Sequence, residues 1–156
     1  MGAAGSGKSL VGRALAAELG WRFEDGDDYH SPASIEAMRR GVALTDADRA
    51  PWLAALHGVI ERAIERREAV VVACSALKER YRVALRGGLR GVRFVYLRAD
   101  GATLRRRLEA RQGHFVGARI LPSQLAALEE PTDAVTVDAT RSPEEIVAII
   151  RRELGV

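Results

Sequence analysis

The stretch Gly2-Ala3-Ala4-Gly5-Ser6-Gly7-Lys8-Ser9 fits G-x-x-x-x-G-K-[ST] at every fixed position. Each residue type has a physical reason to be there. Glycines let the backbone turn tightly enough to aim several N–H groups at one phosphate. A helix opening at Lys8 adds the positive end of its dipole. Lys8 offers an ammonium to β- and γ-phosphate oxygens, and the Ser9 hydroxyl is a ligand for Mg²⁺. Gly2, Gly5, Ser6, Gly7, Lys8 and Ser9 are therefore the expected ATP-binding residues, with Ser9 on the metal.

A second constellation is Asp25-Gly26-Asp27-Asp28-Tyr29-His30. In extended chain, residues two apart point the same way, so Asp25 and Asp27 can face one site. The run follows a predicted strand, and open α/β sheets bind ligands at the carboxyl ends of their strands. One carboxylate can hold Mg²⁺, and the other can accept the proton of a substrate hydroxyl and orient it for in-line attack. The residues alone leave open which does which.

The elements that must position these groups alternate. Helices are predicted over Lys8–Leu19, from Ser31-Pro32 to Gly41, from a polar loop at 45–48 to about Arg67, and over Lys78–Arg86, Ala102–Arg111 and Leu121–Leu128. The last opens on the capping box Ser142-Pro143-Glu144-Glu145 and runs to Leu154. Strands are predicted at Arg22–Glu24, Ala69–Cys74, Val92–Leu97 and Ala134–Val137. The apolar, β-branched run AVVVAC reads as a strand buried on both faces. Strands separated by helices imply a mostly parallel sheet covered by helices on both sides, the three-layer α/β sandwich of P-loop proteins. One domain over 1–156 is expected, with a small helical lid near 111–131. In P-loop folds a buried strand precedes the phosphate loop, whereas here the loop starts at residue 2. That first strand is missing, so the native protein is expected to start upstream, with Met1 an internal methionine.

Composition sets the wider limits. The 156 residues are 47% hydrophobic, 5% aromatic and 29% charged, which suits one globular core. No apolar run reaches the roughly 18 residues of a membrane span. The single cysteine, Cys74, lies in an apolar run and reads as a buried reduced thiol, in keeping with a cytoplasmic location. The net charge of +3 forms no dense basic block, and aromatic interleaving is lacking, so nucleic acid is not an expected partner. His57, Trp21 and Trp52 read as packing residues.

Several motifs in the same order resemble the bacterial gluconate kinase family, small P-loop kinases related to shikimate kinase: GAAGSGKS, DGDDYH, LTDADRAPWL (44–53), CSALKERYR (74–82), RLEARQGHF (107–115) and LPSQLAALEEP (121–131). The resemblance implies transfer of the terminal phosphoryl group of ATP, with Mg²⁺, to gluconate. It implies a parallel five-stranded sheet and a lid, and family members are commonly homodimers. It implies Asp27 as the acceptor-side carboxylate and Asp25 as the metal-side one. Arg111 opens the lid and is expected to act on the transferring phosphoryl group, with Arg107 as its rival one turn earlier. Arg49, Lys78, Tyr81 and Arg82 are candidates for holding a sugar acid's carboxylate and hydroxyls, Lys78 and Arg82 being four apart on one helix face. His30 and His114 fall inside matched motifs and are further candidates. The competing readings are a related kinase for shikimate or a nucleoside monophosphate, and a non-catalytic ATP-binding regulator.

Overall fold

Short polar side chains start most of the helices. The computed structural model describes residues 1–110 and 115–156. Along the chain run α1 (Lys8–Leu19), β1 (Arg22–Asp25), a 3-10 turn (Gly26–Tyr29), α2 (Pro32–Arg39), α3 (Asp46–Glu65), β2 (Val70–Ala73), α4 (Glu79–Arg86), β3 (Val95–Arg98), α5 (Gly101–Glu109), α6 (Phe115–Ala127), β4 (Val135–Asp138) and α7 (Pro143–Leu154). Ser31 caps α2 and Asp100 caps α5, while Thr45 with Asp48 and Ser142 with Glu145 form capping boxes on α3 and α7. The polar segment expected as a loop at 45–48 is thus mostly the first turn of α3. Helix α1 differs: its N-cap is Gly7, at φ 89°, with no side-chain cap. A backbone turn with no side-chain cap thus opens α1 toward the phosphate loop.

The strands form two parallel pairs. β1 lies beside β2, with Arg22 opposite Val70 and Asp25 opposite Ala73. β3 lies beside β4, with Val95 opposite Val135 and Arg98 opposite Asp138. Alternation along the strands turns both faces toward helices, but Val70, Val71 and Val72 of β2, expected to be buried, are half-buried because they border the cavity described below. Val71, Val95, Leu97, Val135 and Val137 pack with Val11 and Leu15 of α1 and Ile146, Val147 and Ile150 of α7. Val72, Cys74 and Phe94 pack instead with Trp52 and Leu56 of α3 and Tyr81 and Leu85 of α4. The result is helix, sheet, helix. A third cluster, of Ala3, Leu77, Leu104, Leu108 and Leu121, ties the phosphate loop to α5 and α6.

Among the described residues the sheet has four strands in two pairs rather than the five implied by the resemblance, in keeping with the absent first strand, and β2 and β3 do not pair with each other. Met1 and Gly2 lie between them. The Met1 amine donates to the Val95 carbonyl, Leu97 N–H donates to the Met1 carbonyl at 3.0 Å, and Gly2 N–H donates to the Ser75 carbonyl at 3.3 Å. The first two bonds are those of a parallel bridge between Met1 and Tyr96. Beyond Met1 a cavity of about 490 Å³ runs between the pairs, lined by 70–74 on one side and 91–95 on the other, with Val11, Leu15 and Ile150 on one face and Ile60 on the opposite one. The strand expected over Val92–Leu97 is found at Val95–Arg98: Val92 and Arg93 border this cavity, while the Phe94 carbonyl accepts from Val135 N–H of β4 at 3.0 Å.

In a chain that begins at Met1 the amine lies part-buried between the strand pairs, and that burial lowers its pKa from 8.0 to about 6. An amine with a lowered pKa in the folded state binds fewer protons there than in the unfolded chain, so stability rises with pH between about 6 and 8. A two-unit shift corresponds to about 3 kcal/mol across that window. In a chain retaining Met1 with a free amine, denaturant midpoints measured from pH 5.5 to 8.5 should climb accordingly. Nα-acetylation should flatten this rise, and a slope unchanged by acetylation would remove the amine from the account.

Candidate active site

The phosphate loop is held in shape by contacts that exclude side chains. Gly2 has φ 147°, and a Cβ there would sit 2.8 Å from the Leu97 carbonyl oxygen. Gly5 has φ 84°, and its Cβ would sit 2.8 Å from the Leu104 carbonyl oxygen. Ser6 N–H donates to the Ala3 carbonyl at 3.2 Å, and Lys8 Nζ folds back to donate to the same oxygen at 3.0 Å. Ser6 Oγ is buried without a hydrogen-bond partner among the described residues. An uncapped helix start, a glycine-shaped loop and an ammonium beside it suit a nucleotide's phosphate tail.

The acidic turn is built with equal economy of space. Gly26 lies so close to β2 that a Cβ would meet the Ala73 carbonyl oxygen at 2.7 Å and Cys74 Cβ at 2.9 Å. Trp52 Nε1–H donates to the Gly26 carbonyl at 2.6 Å, anchoring the turn from α3. Asp25 Oδ1 accepts from Asp27 N–H at 3.3 Å, and Asp25 Oδ2 lies 3.8 Å from Arg13. The buried His30 ring stacks on Trp52, with centroids 4.7 Å apart and planes 6° from parallel. Burial pushes the His30 pKa down, against the pull of the Asp27 charge, which favours a neutral ring. Trp52, expected to pack, thus positions both the turn and His30.

Loop and turn open onto one cavity of about 670 Å³, lined by Gly7, Lys8, Ser9, Asp25, Asp27, His30 and Arg49 among others. Sequence reasoning had not singled out its other polar walls, Arg39, Ser75, Ser123 and Gln124. Gly2, Gly5 and Ser6 support the loop from behind and do not line the cavity. Lys78, Tyr81 and Arg82 do not line it either. Lys78 is the N-cap of α4, in extended backbone, so it shares no helix face with Arg82. Lys78 Nζ donates to Asp46 at 3.1 Å, and Tyr81 and Arg80 donate to the same carboxylate. These bonds, Tyr81's first, hold the Asp46 carboxyl below its ordinary pKa. The Arg49 guanidinium carbon lies 5.7 Å from the centre of the Tyr81 ring, linking this cluster to the cavity wall. Buried Arg82 donates to the carbonyls of Ala76, Leu77 and Glu129 at 3.0–3.2 Å, joining the end of β2 to the segment after α6. Arg111 and His114 lie outside the described residues. Arg107, on α5, is described and does not line the cavity. His57 Nδ1 meets the Leu85 carbonyl at 3.0 Å, a link between α3 and α4.

A family model described as an AAA domain matches residues 1–131. The chain is 43% identical to a gluconokinase of Gluconobacter oxydans over 150 residues, 94% of this chain and 84% of that one. A gluconokinase structure from Sinorhizobium meliloti superposes with a TM-score of 0.87 at 43% identity, over 99% of this chain and 89% of that one. The chain belongs to the gluconokinase family of P-loop kinases. A sugar kinase structure from Janibacter superposes with a TM-score of 0.93 at 37% identity, covering 100% of this chain and 92% of that one. Membership accounts for the α/β P-loop architecture. No helix among the described residues is long and apolar enough to cross a membrane.

Proposed function

We propose that this chain phosphorylates D-gluconate with ATP, giving 6-phosphogluconate and ADP. The observation carrying this reading is the single cavity that brings Lys8 and Ser9 together with Asp25, Asp27 and Arg49. The loop N–H groups and Lys8 hold the phosphate tail, and Arg49 attracts the sugar acid's carboxylate. The Asp27 carboxylate accepts the proton of the attacking hydroxyl. As that O–H bond breaks, the new O–P bond forms and the bond from the terminal phosphorus to ADP is released. Mg²⁺, when bound through Ser9 with Asp25 nearby, supplies charge for the phosphate oxygens. His30, neutral and fixed by Trp52, contributes a polar ring edge to the acceptor side. Lys78 and Tyr81 act at one remove, through Asp46 and Arg49. This reading includes a homodimer, to be checked by sedimentation velocity, and a cytoplasmic location.

A coupled assay for ADP release over a panel of acceptors tests the substrate. Gluconate should give the highest kcat/KM. Faster turnover of shikimate or a nucleoside monophosphate would replace gluconate with that acceptor. ATP binding without turnover of any acceptor would favour the regulator instead.

A further inference from the structure

One amide of the phosphate loop has a distant side chain as its partner. Ala4 N–H donates to Oε1 of Gln124 at 2.6 Å, across 120 residues of sequence. A backbone N–H can only donate, so the oxygen end of the Gln124 amide must face the loop, which leaves the NH₂ end as a donor pair. Gln124 also lines the cavity shared by Lys8, Ser9 and Asp27.

The position of Gln124 is set by packing. Its helix, α6, is fixed by buried Leu121 and by Leu125, which pack with Ala3, Leu77, Leu104 and Leu108. The chain beyond α6 is pinned as well. Glu129 N–H donates to the Leu77 carbonyl at 2.9 Å, Glu129 Oε2 accepts from Glu79 N–H at 2.6 Å, and the Glu129 carbonyl accepts from Arg82. Within α6, Pro122 lacks an N–H, and Ser123 Oγ donates to the Ile120 carbonyl at 2.8 Å. A helix held at these points presents one neutral acceptor to one loop amide.

The geometry points to Gln124 as a positioning residue for phosphoryl transfer: it fixes the Ala4 amide, and with it the mouth of the phosphate loop, from helix α6. This rests on the kinase reading above. A neutral amide does this without placing a charge beside the phosphate tail, which a carboxylate in the same place would repel.

Two variants separate this role from simple packing. Gln124→Leu removes the acceptor, and its kcat should fall about tenfold, the size expected from one hydrogen bond near 1.4 kcal/mol. Its KM for gluconate should stay within about twofold of the parent's, and its thermal midpoint within about 3 °C. Gln124→Glu keeps an oxygen for Ala4 N–H but adds charge. Its kcat at saturating ATP should be at least threefold above that of the leucine variant, and its KM for ATP should rise at least tenfold. A leucine variant with kcat within twofold of the parent would overturn the proposal, as would two variants whose losses follow their thermal midpoints alone. If the parent turned over no acceptor, the kinase reading would fail separately. Titration calorimetry with Mg·ATP would then decide, with weaker binding by the glutamate variant supporting the loop contact and equal binding refuting it.

Discussion

Replacing Asp27 with Asn is expected to lower turnover of gluconate by at least about a hundredfold while leaving ATP affinity nearly unchanged. General-base assistance is typically worth 10²–10⁴ in rate. Asn matches Asp in size and keeps a hydrogen-bonding group toward the hydroxyl, but it cannot take the proton. The fold should tolerate the change: Asp27 is exposed, and it is the backbone N–H of residue 27, not the side chain, that bonds to Asp25. Asp25→Asn is the informative companion. It weakens the acceptor for that N–H and the pairing with Arg13, so it should disturb the turn and metal affinity together. The measurements are steady-state rates at saturating ATP, Mg²⁺ and gluconate, with nucleotide affinity by calorimetry. An Asp27→Asn enzyme within a few-fold of the parent rate would take that residue out of the proton path. A large effect of Asp25→Asn on kcat alone would exchange the roles of the two carboxylates.

What the sequence discloses depends on the range of the interaction. The phosphate loop, the caps at Ser31 and Ser142, and the apolar run that becomes β2 are local patterns, and the structure has each where spacing and residue type put it. Gly26 is needed for its approach to Ala73 and Cys74, a contact no local pattern reveals. The same holds for the Gln124 side chain on Ala4 and for Trp52 beneath the acidic turn. Charged residues were hardest to read. Arg49 and Arg82 are the same residue type in neighbouring motifs, yet one borders the cavity and the other is buried among carbonyls. The i, i+4 spacing of Lys78 and Arg82 suggested a shared face only if both are helical, and Lys78 is not. Asp46 gathers Lys78, Arg80 and Tyr81, a junction visible only once α3 and α4 pack together.

A six-residue extension of alternating Val and Ile fused ahead of Met1 should stabilise the protein by at least about 2 kcal/mol, or about 4–8 °C in Tm for a chain of this size. The reasoning starts from the edges that β2 and β3 turn toward each other. Met1 already bridges to Tyr96 in parallel register, and Gly2 bonds to Ser75 on the other side, so a residue preceding Met1 is aimed into the 490 Å³ cavity. The walls there are Val70–Val72, Val92, Phe94 and Val95, with Val11, Leu15 and Ile60 above and below. About four buried side chains bring roughly 6–12 kcal/mol of gross hydrophobic gain. Ordering six residues opposes this with about 1–2 kcal/mol each, and hydrogen bonds to both edges, at about 0.5–1.5 kcal/mol apiece, restore the balance in favour of the strand. The control is an extension of Gly, Ser and Asp of equal length. Both extensions convert the buried amine to an amide and so remove its pH dependence. Only the apolar one fills the cavity, so the difference between the two midpoints isolates strand insertion. Slowed hydrogen exchange at Val72 and Val95 should accompany it. Equal midpoints for the two fusions, with no added protection at those amides, would mean that the space between the pairs does not accept a strand.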